Sequence, residues 1–294
     1  MVSRFRRNLS FPNRPSSPKK PYHTRSTSLP CRSHPLISQL QDEINNLKIW
    51  ESKPEIRTSA WLCEGLIMLK NVHDSFEDLL HLSQTQDSLR RSDWVEKLLE
   101  DYLRFVDVYG IFRASIVSLK EEQLAAQVAI RRKDDSKISS YVKSRKKIDK
   151  EMMKLGSAVR FTGDYSVSEG DAELAGVLRD VNEVTVSVTI CLIRGISGAS
   201  SSINSKSNKS SLMRWKLWKK TNEKEEGIRE VVEVMESLCE MKKLGGNDDE
   251  EERIRVLDRM EGLDECIGEI ESGSERVFRS LINTRVSLLN ILTQ

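Results

Sequence analysis

Between Ser92 and Lys133, eight apolar residues recur at alternating steps of three and four: Val95, Leu98, Tyr102, Phe105, Tyr109, Phe112, Ile116 and Leu119. That spacing puts all eight on one stripe of an α-helix. Glu96, Lys97, Glu100, Asp101, Arg104, Asp107 and Arg113 lie between them as a polar back that faces water or a charged neighbour. At ~1.5 Å per residue, such a helix reaches roughly 60 Å. Only other long helices can cover so long a stripe. The expected fold is therefore all-α, a bundle or coiled coil of long antiparallel amphipathic helices.

Proline placement agrees. Pro12, Pro15, Pro18, Pro21, Pro30 and Pro35 crowd the start of the chain, and none follows Pro54. A proline inside a helix costs about 3 kcal/mol, so its absence downstream is what long helices require. Residues 1–34, rich in Arg, Ser, Pro and Lys, are expected to be a disordered basic tail. Residues 35–294 are expected to be one helical bundle domain, interrupted by a Ser/Lys-rich linker at about 197–222.

Within that domain a helix from Pro35 to about Trp50 is expected to bury Leu36, Leu40, Ile44, Leu47 and Ile49. A second, from about Thr58 to Leu82, presents Leu62, Leu66, Leu69, Val72, Phe76 and Leu79. Ser83 to Ser92 reads as a break, with Ser92 or Asp93 as the N-cap of the long helix. Ile138, Tyr141, Ile148, Met152, Leu155 and Val159 mark a further helix, with Arg145 on the same stripe. Asp171 to Ile196 contains an alternating Val184, Val186, Val188, Ile190, Leu192 run. A lone strand would lack a partner, so a helix is expected there too. The last two helices are expected at Lys224 to Leu244, burying Ile228, Val231, Val232, Met235, Leu238 and Cys239, and from Asp248 onward. The final one should bury Ile254, Leu257, Leu263, Ile267 and Ile270, and can bend at Gly273.

The net charge of +2 conceals an asymmetry, because residues 1–35 carry eight Lys or Arg and no acid. The remainder is net acidic, which makes nucleic acid an unlikely partner. Cys31, Cys63, Cys191, Cys239 and Cys266 are scattered, with no Cys-x-x-Cys pair, so neither zinc nor a disulfide framework is expected. His73 and His81 read as ordinary boundary histidines. The N-terminus lacks an apolar core and no run is long enough to span a bilayer. A cytoplasmic protein follows, peripheral at a membrane if its basic segments are used that way.

Three stretches offer contacts. Arg25, Ser26, Ser28 and Pro30 form an Arg-Ser-x-Ser-x-Pro pattern that a basophilic kinase and then a phosphoserine-binding adaptor would read. Arg214, Trp215, Lys216, Trp218, Lys219 and Lys220 combine tryptophans with cations, suited to an anionic membrane surface, an acidic partner groove, or packing on the bundle itself. Lys143, Lys146, Lys147 and Lys150 make one helix strongly basic. The ordinary expectation is a solvated face paired with acids of neighbouring helices, and the alternative is a phosphate- or lipid-facing patch. No phosphate-binding loop, His-Glu-x-x-His or Gly-x-Ser-x-Gly occurs, so no catalytic residue, cofactor, metal or small-molecule substrate is expected.

Tyr22 through Leu36, then Ser144-Arg145-Lys146-Lys147 with Lys150-Glu151, and Thr284 through Leu292, taken in that order and spacing, resemble the plant-specific BYPASS-like family. The resemblance implies a helical protein linked to root and shoot development, with no established enzymatic activity or cofactor. It also supports the helical reading of the valine-rich run. A non-enzymatic helical interaction or scaffold protein is the expected function, with peripheral membrane association through residues 206–220 as the alternative and an enzyme as the least favoured.

Overall fold

The computed structural model describes residues 34–53, 56–159, 172–197, 227–243 and 250–293. The helices are α1 (Pro35–Ser52), α2 (Ser59–Leu80), α3 (Ser83–Arg90), α4 (Val95–Arg131), α5 (Asp135–Val159), α6 (Ala172–Ser197), α7 (Arg229–Lys243) and α8 (Glu250–Thr293). No strand occurs among the described residues, and Val184 to Leu192 is helical. The stripe of α4 is buried as expected, from Val95 through Leu119.

Five helices close a ring around the core. α8 lies between α4 and α2, α5 between α4 and α6, and α6 meets α2. α1 covers α2 and α6 from outside, and α7 covers α8. An odd-membered ring cannot alternate direction throughout. The exception is α2 beside α8: Ser59 meets Cys266, Leu66 meets Gly273 and Asp74 meets Ser280, so these two neighbours run parallel. A Cβ on Gly273 would stand 3.0 Å from Leu66 Cδ1, so the missing side chain lets the two axes approach. The expected bend there is replaced by one uninterrupted helix over Glu250–Thr293.

Several local expectations shift. Ser83 to Arg90 is helix α3 and not a break, because Leu89 and Thr85 find buried places and Arg90 Nε donates to the Ile291 carbonyl at 3.0 Å. Trp94, rather than Ser92 or Asp93, stands at the N-cap of α4 and makes no side-chain capping bond; the Ser92 hydroxyl donates instead to the Ser88 carbonyl. In α1, Ile49 is exposed and Trp50 takes the buried position, stacked on Trp61 with ring centroids 4.1 Å apart. In α7, Val234 is buried while Cys239 is exposed. In α8, Ile254 faces out and Val256 and Met260 face in.

α7 starts later than expected, at Arg229, where tertiary hydrogen bonds fix it. Ile228 N donates to the Gly195 carbonyl and Arg229 N to the Arg57 carbonyl. The Glu230 carboxylate then accepts from Ser59 N and Ser59 Oγ, placing a negative charge on the N-terminus of α2.

Candidate interaction surfaces

Polar groups on the inner faces of α2, α4 and α6 meet one another. The Thr185 hydroxyl donates to the Val181 carbonyl at 2.7 Å, so its oxygen accepts from His73 Nε2 at 3.1 Å. The other ring nitrogen of His73 lies 3.4 Å from the Tyr102 hydroxyl, which donates to it. Both nitrogens of a neutral imidazole are thus used. Burial drives the His73 pKa down to about 4, so the ring stays uncharged at neutral pH. His73 is a core residue, correcting its reading as a boundary histidine. Burial likewise raises the Tyr102 and Tyr109 phenols well above their ordinary value.

Immediately before Tyr102 on α4, Asp101 is buried, accepting from Asn182 Nδ2 at 3.2 Å and pairing with Arg104. The sequence had put it on the polar back. Its neighbour on α6 supplies the hydrogen bonds that water would otherwise make.

A second polar cluster joins α5 to the end of α6. Arg145 is fully buried on the stripe of α5, donates through Nη2 to the Ile196 carbonyl, and has Asp149 3.4 Å from its Nε. Burial lifts the Asp149 carboxyl to about 6, with Arg145 holding it down against that rise. Nearby, Gln123 Nε2 donates to the Met260 carbonyl at 2.8 Å, tying α4 to α8.

A shallow hollow over α2 and α8 is lined by Cys63, Glu265, Glu269, Ser272 and Arg276. Burial first, and then Glu269, push the Cys63 thiol up to about 11, so it is almost wholly protonated at neutral pH and a weak nucleophile. Among the described residues no group of three His, Cys, Asp or Glu is placed to hold a metal ion.

The outer surface offers two contiguous features. On α4, Leu103, Gly110, Val117 and Leu124 recur at every seventh residue, and the three aliphatic side chains are about half exposed, with Val128 continuing the row. Leu99 and Val106 flank it, partly buried against the core. This is the geometry of a coiled-coil seam facing outward. On α5, Lys143, Lys146, Lys147, Lys150 and Lys154 are all exposed. Their solvation was expected, but the expected pairing with neighbouring acids is not found among the described residues.

The motif at Arg25, Ser26, Ser28 and Pro30, and the segment with Arg214, Trp215, Lys216, Trp218, Lys219 and Lys220, lie outside the described residues. The half-exposed row of α4 was legible as a seven-residue repeat, but the buried stripe beside it is stronger and masks it. No helix among the described residues is long and apolar enough to cross a membrane.

The family model described as Protein BPS1 matches residues 65–291, a span that runs from within α2 to within α8. No curated protein and no solved structure matches the chain.

Proposed function

The chain belongs to the BPS1 family, matching the BYPASS-like resemblance, and for this member we propose a non-enzymatic role as a helical interaction protein that docks other molecules on its outer faces. The observation that carries this is the outward seam of α4. Leu103, Val117 and Leu124 at heptad spacing, with Gly110 between them, offer a partner helix a row of knobs and a gap over ~30 Å. The interior titratable groups support the same reading: His73, Asp101 and Arg145 each make a hydrogen bond that joins two helices. The family resemblance supports a setting in root and shoot development. The tail motif centred on Ser28, once phosphorylated, would add an adaptor contact to the same role.

A photo-crosslinking residue at Val117, introduced into the full chain, tests the proposal in plant extract. Discrete adducts are expected at that position. They should disappear when Leu103 and Leu124 are changed to Lys, with the thermal unfolding curve unchanged because both side chains are half outside. Adducts that survive those substitutions would remove the α4 face as the docking element.

A further inference from the structure

We propose that the outer face of α5 is a docking surface for an anionic membrane. Taken at 100° per residue, Lys143, Lys146, Lys147, Lys150 and Lys154 fall within an arc of about 100°. They extend roughly 17 Å along the helix axis. Ile138, Tyr141, Arg145, Ile148 and Met152 fill the opposite, buried side. The face is thus turned squarely away from the core.

Its charge is left uncompensated by the rest of the described fold. Between α4 and α8, by contrast, cations meet acids: Arg113 meets Glu275, Lys120 meets Glu271 and Arg131 meets Glu261. The α5 lysines make no ion pair among the described residues. The helix's acid at Asp149 is turned toward Arg145 on the inner side, and Glu151 stands only at the rim of the arc. Like charges three and four residues apart repel along a helix, so this row gains whenever a negative surface covers it.

The shape of the charge selects the partner. Lysine is a compact point charge without the fork that grips a single phosphate, and five of them along a convex helix form no pocket. Such a line suits a plane of diffuse negative charge. The face carries no exposed aromatic ring on which a nucleic-acid base would stack. Met153 at its edge is an exposed apolar side chain able to enter the headgroup boundary. The rest of the folded chain is net acidic, so the molecule is electrically lopsided and would orient this face toward a negative surface. This surface is separate from the α4 seam, and either assignment can fail while the other stands.

The test is sedimentation of the full chain with vesicles of phosphatidylcholine, alone or with about one fifth phosphatidylserine, at about 0.1 M and about 0.5 M salt. Binding is expected only to the anionic vesicles and is expected to fall at the higher salt. K143Q/K147Q/K150Q should weaken the partition by on the order of 100-fold, since each lysine near such a surface contributes about fivefold. K143R/K147R/K150R, which keeps the charge, should bind like the wild type. The proposal is overturned if the glutamine variant, folded by circular dichroism, sediments as the wild type does, or if the arginine variant loses binding. It is also overturned if neutral vesicles bind equally, or if duplex DNA or polyglutamate is bound more tightly than the anionic vesicles. Loss of binding in W215A/W218A with no loss in the glutamine variant would move the contact to residues 206–220 and away from α5.

Discussion

Gly65 of α2 lies directly against the indole of Trp50 in α1: a Cβ added there would stand 2.3 Å from Cζ2 and 2.4 Å from Cη2. The ring is held on its other sides as well, stacked on Trp61 and donating from Nε1 to the Trp61 carbonyl at 3.1 Å. It has nowhere to retreat. Gly65→Ala should therefore cost about 1–3 kcal/mol through overpacking, although alanine is the better helix former. Urea unfolding followed by tryptophan fluorescence would measure this, and a more stable variant would show that α1 can slide on α2.

His73 and Asp149 give opposite pH dependences. For His73 the folded pKa lies below the ordinary 6.5, so its contribution is complete above about 6.5 and is lost as pH falls through about 4. For Asp149 the folded pKa of about 6 lies above the ordinary 3.8, so its contribution is complete below about 3.8 and is lost as pH rises through about 6. Asp149→Asn removes only the second. The stability of that variant relative to wild type should rise between about pH 4 and pH 6 by up to roughly 3 kcal/mol, at about 1.4 kcal/mol per pH unit. Denaturant titrations at closely spaced pH values would show the slope, and a difference independent of pH would contradict the burial of that carboxyl.

Arg145→Ala leaves the Asp149 carboxylate without its cation and opens space beside Ile196. A loss of about 3–5 kcal/mol is expected from breaking one side of a buried pair. Arg145 is what offsets the effect of burial on the Asp149 carboxyl, so with it gone the pKa should climb beyond about 6. A carboxyl carbon titration by NMR on the single variant reads the second effect apart from the first, and an unmoved Asp149 would show the two groups to be uncoupled.

Glu230 joins α7 to the first turn of α2 through Ser59 N at 3.1 Å and Ser59 Oγ at 2.9 Å. Glu230→Gln should loosen α7 before the rest of the bundle, at a cost of about 1.5–3 kcal/mol for hydrogen bonds to a charged group. Hydrogen exchange is expected to accelerate over 229–238 while α4 stays protected. Uniform acceleration across both helices would mean that α7 is not a separable unit.

Most of the fold was legible because long helices repeat their signal. Eight regularly spaced apolar residues on α4 leave little doubt about which side is inside, and Arg145 could be placed on a buried stripe by position alone. Its acceptor could not, since the Ile196 carbonyl lies 51 residues away and a backbone oxygen has no sequence signature. Short elements failed for a related reason. α3 owes its helix to Leu89 finding a hole in the core, and one buried leucine makes no period. At helix ends the rhythm tolerates a shift of one position, which is why Ile49 and Trp50 exchanged places. The lysines of α5 announced their charge but not their lack of acids, because pairing depends on which helix becomes the neighbour.

The parallel contact of α2 with α8 joins the second of the described helices to the last of them. α4 also rests on α8, so the apolar flanks of both early helices stay open on the ribosome until the final segment emerges. At about 5–20 residues per second, the chain between the end of α4 and the end of α8 takes on the order of ten seconds to synthesise. For that interval the faces of α2 and α4 that α8 covers in the finished fold have no partner. Apolar surface open for that long is what co-translational chaperones bind, so their occupancy would bear on how much of the chain reaches its folded form.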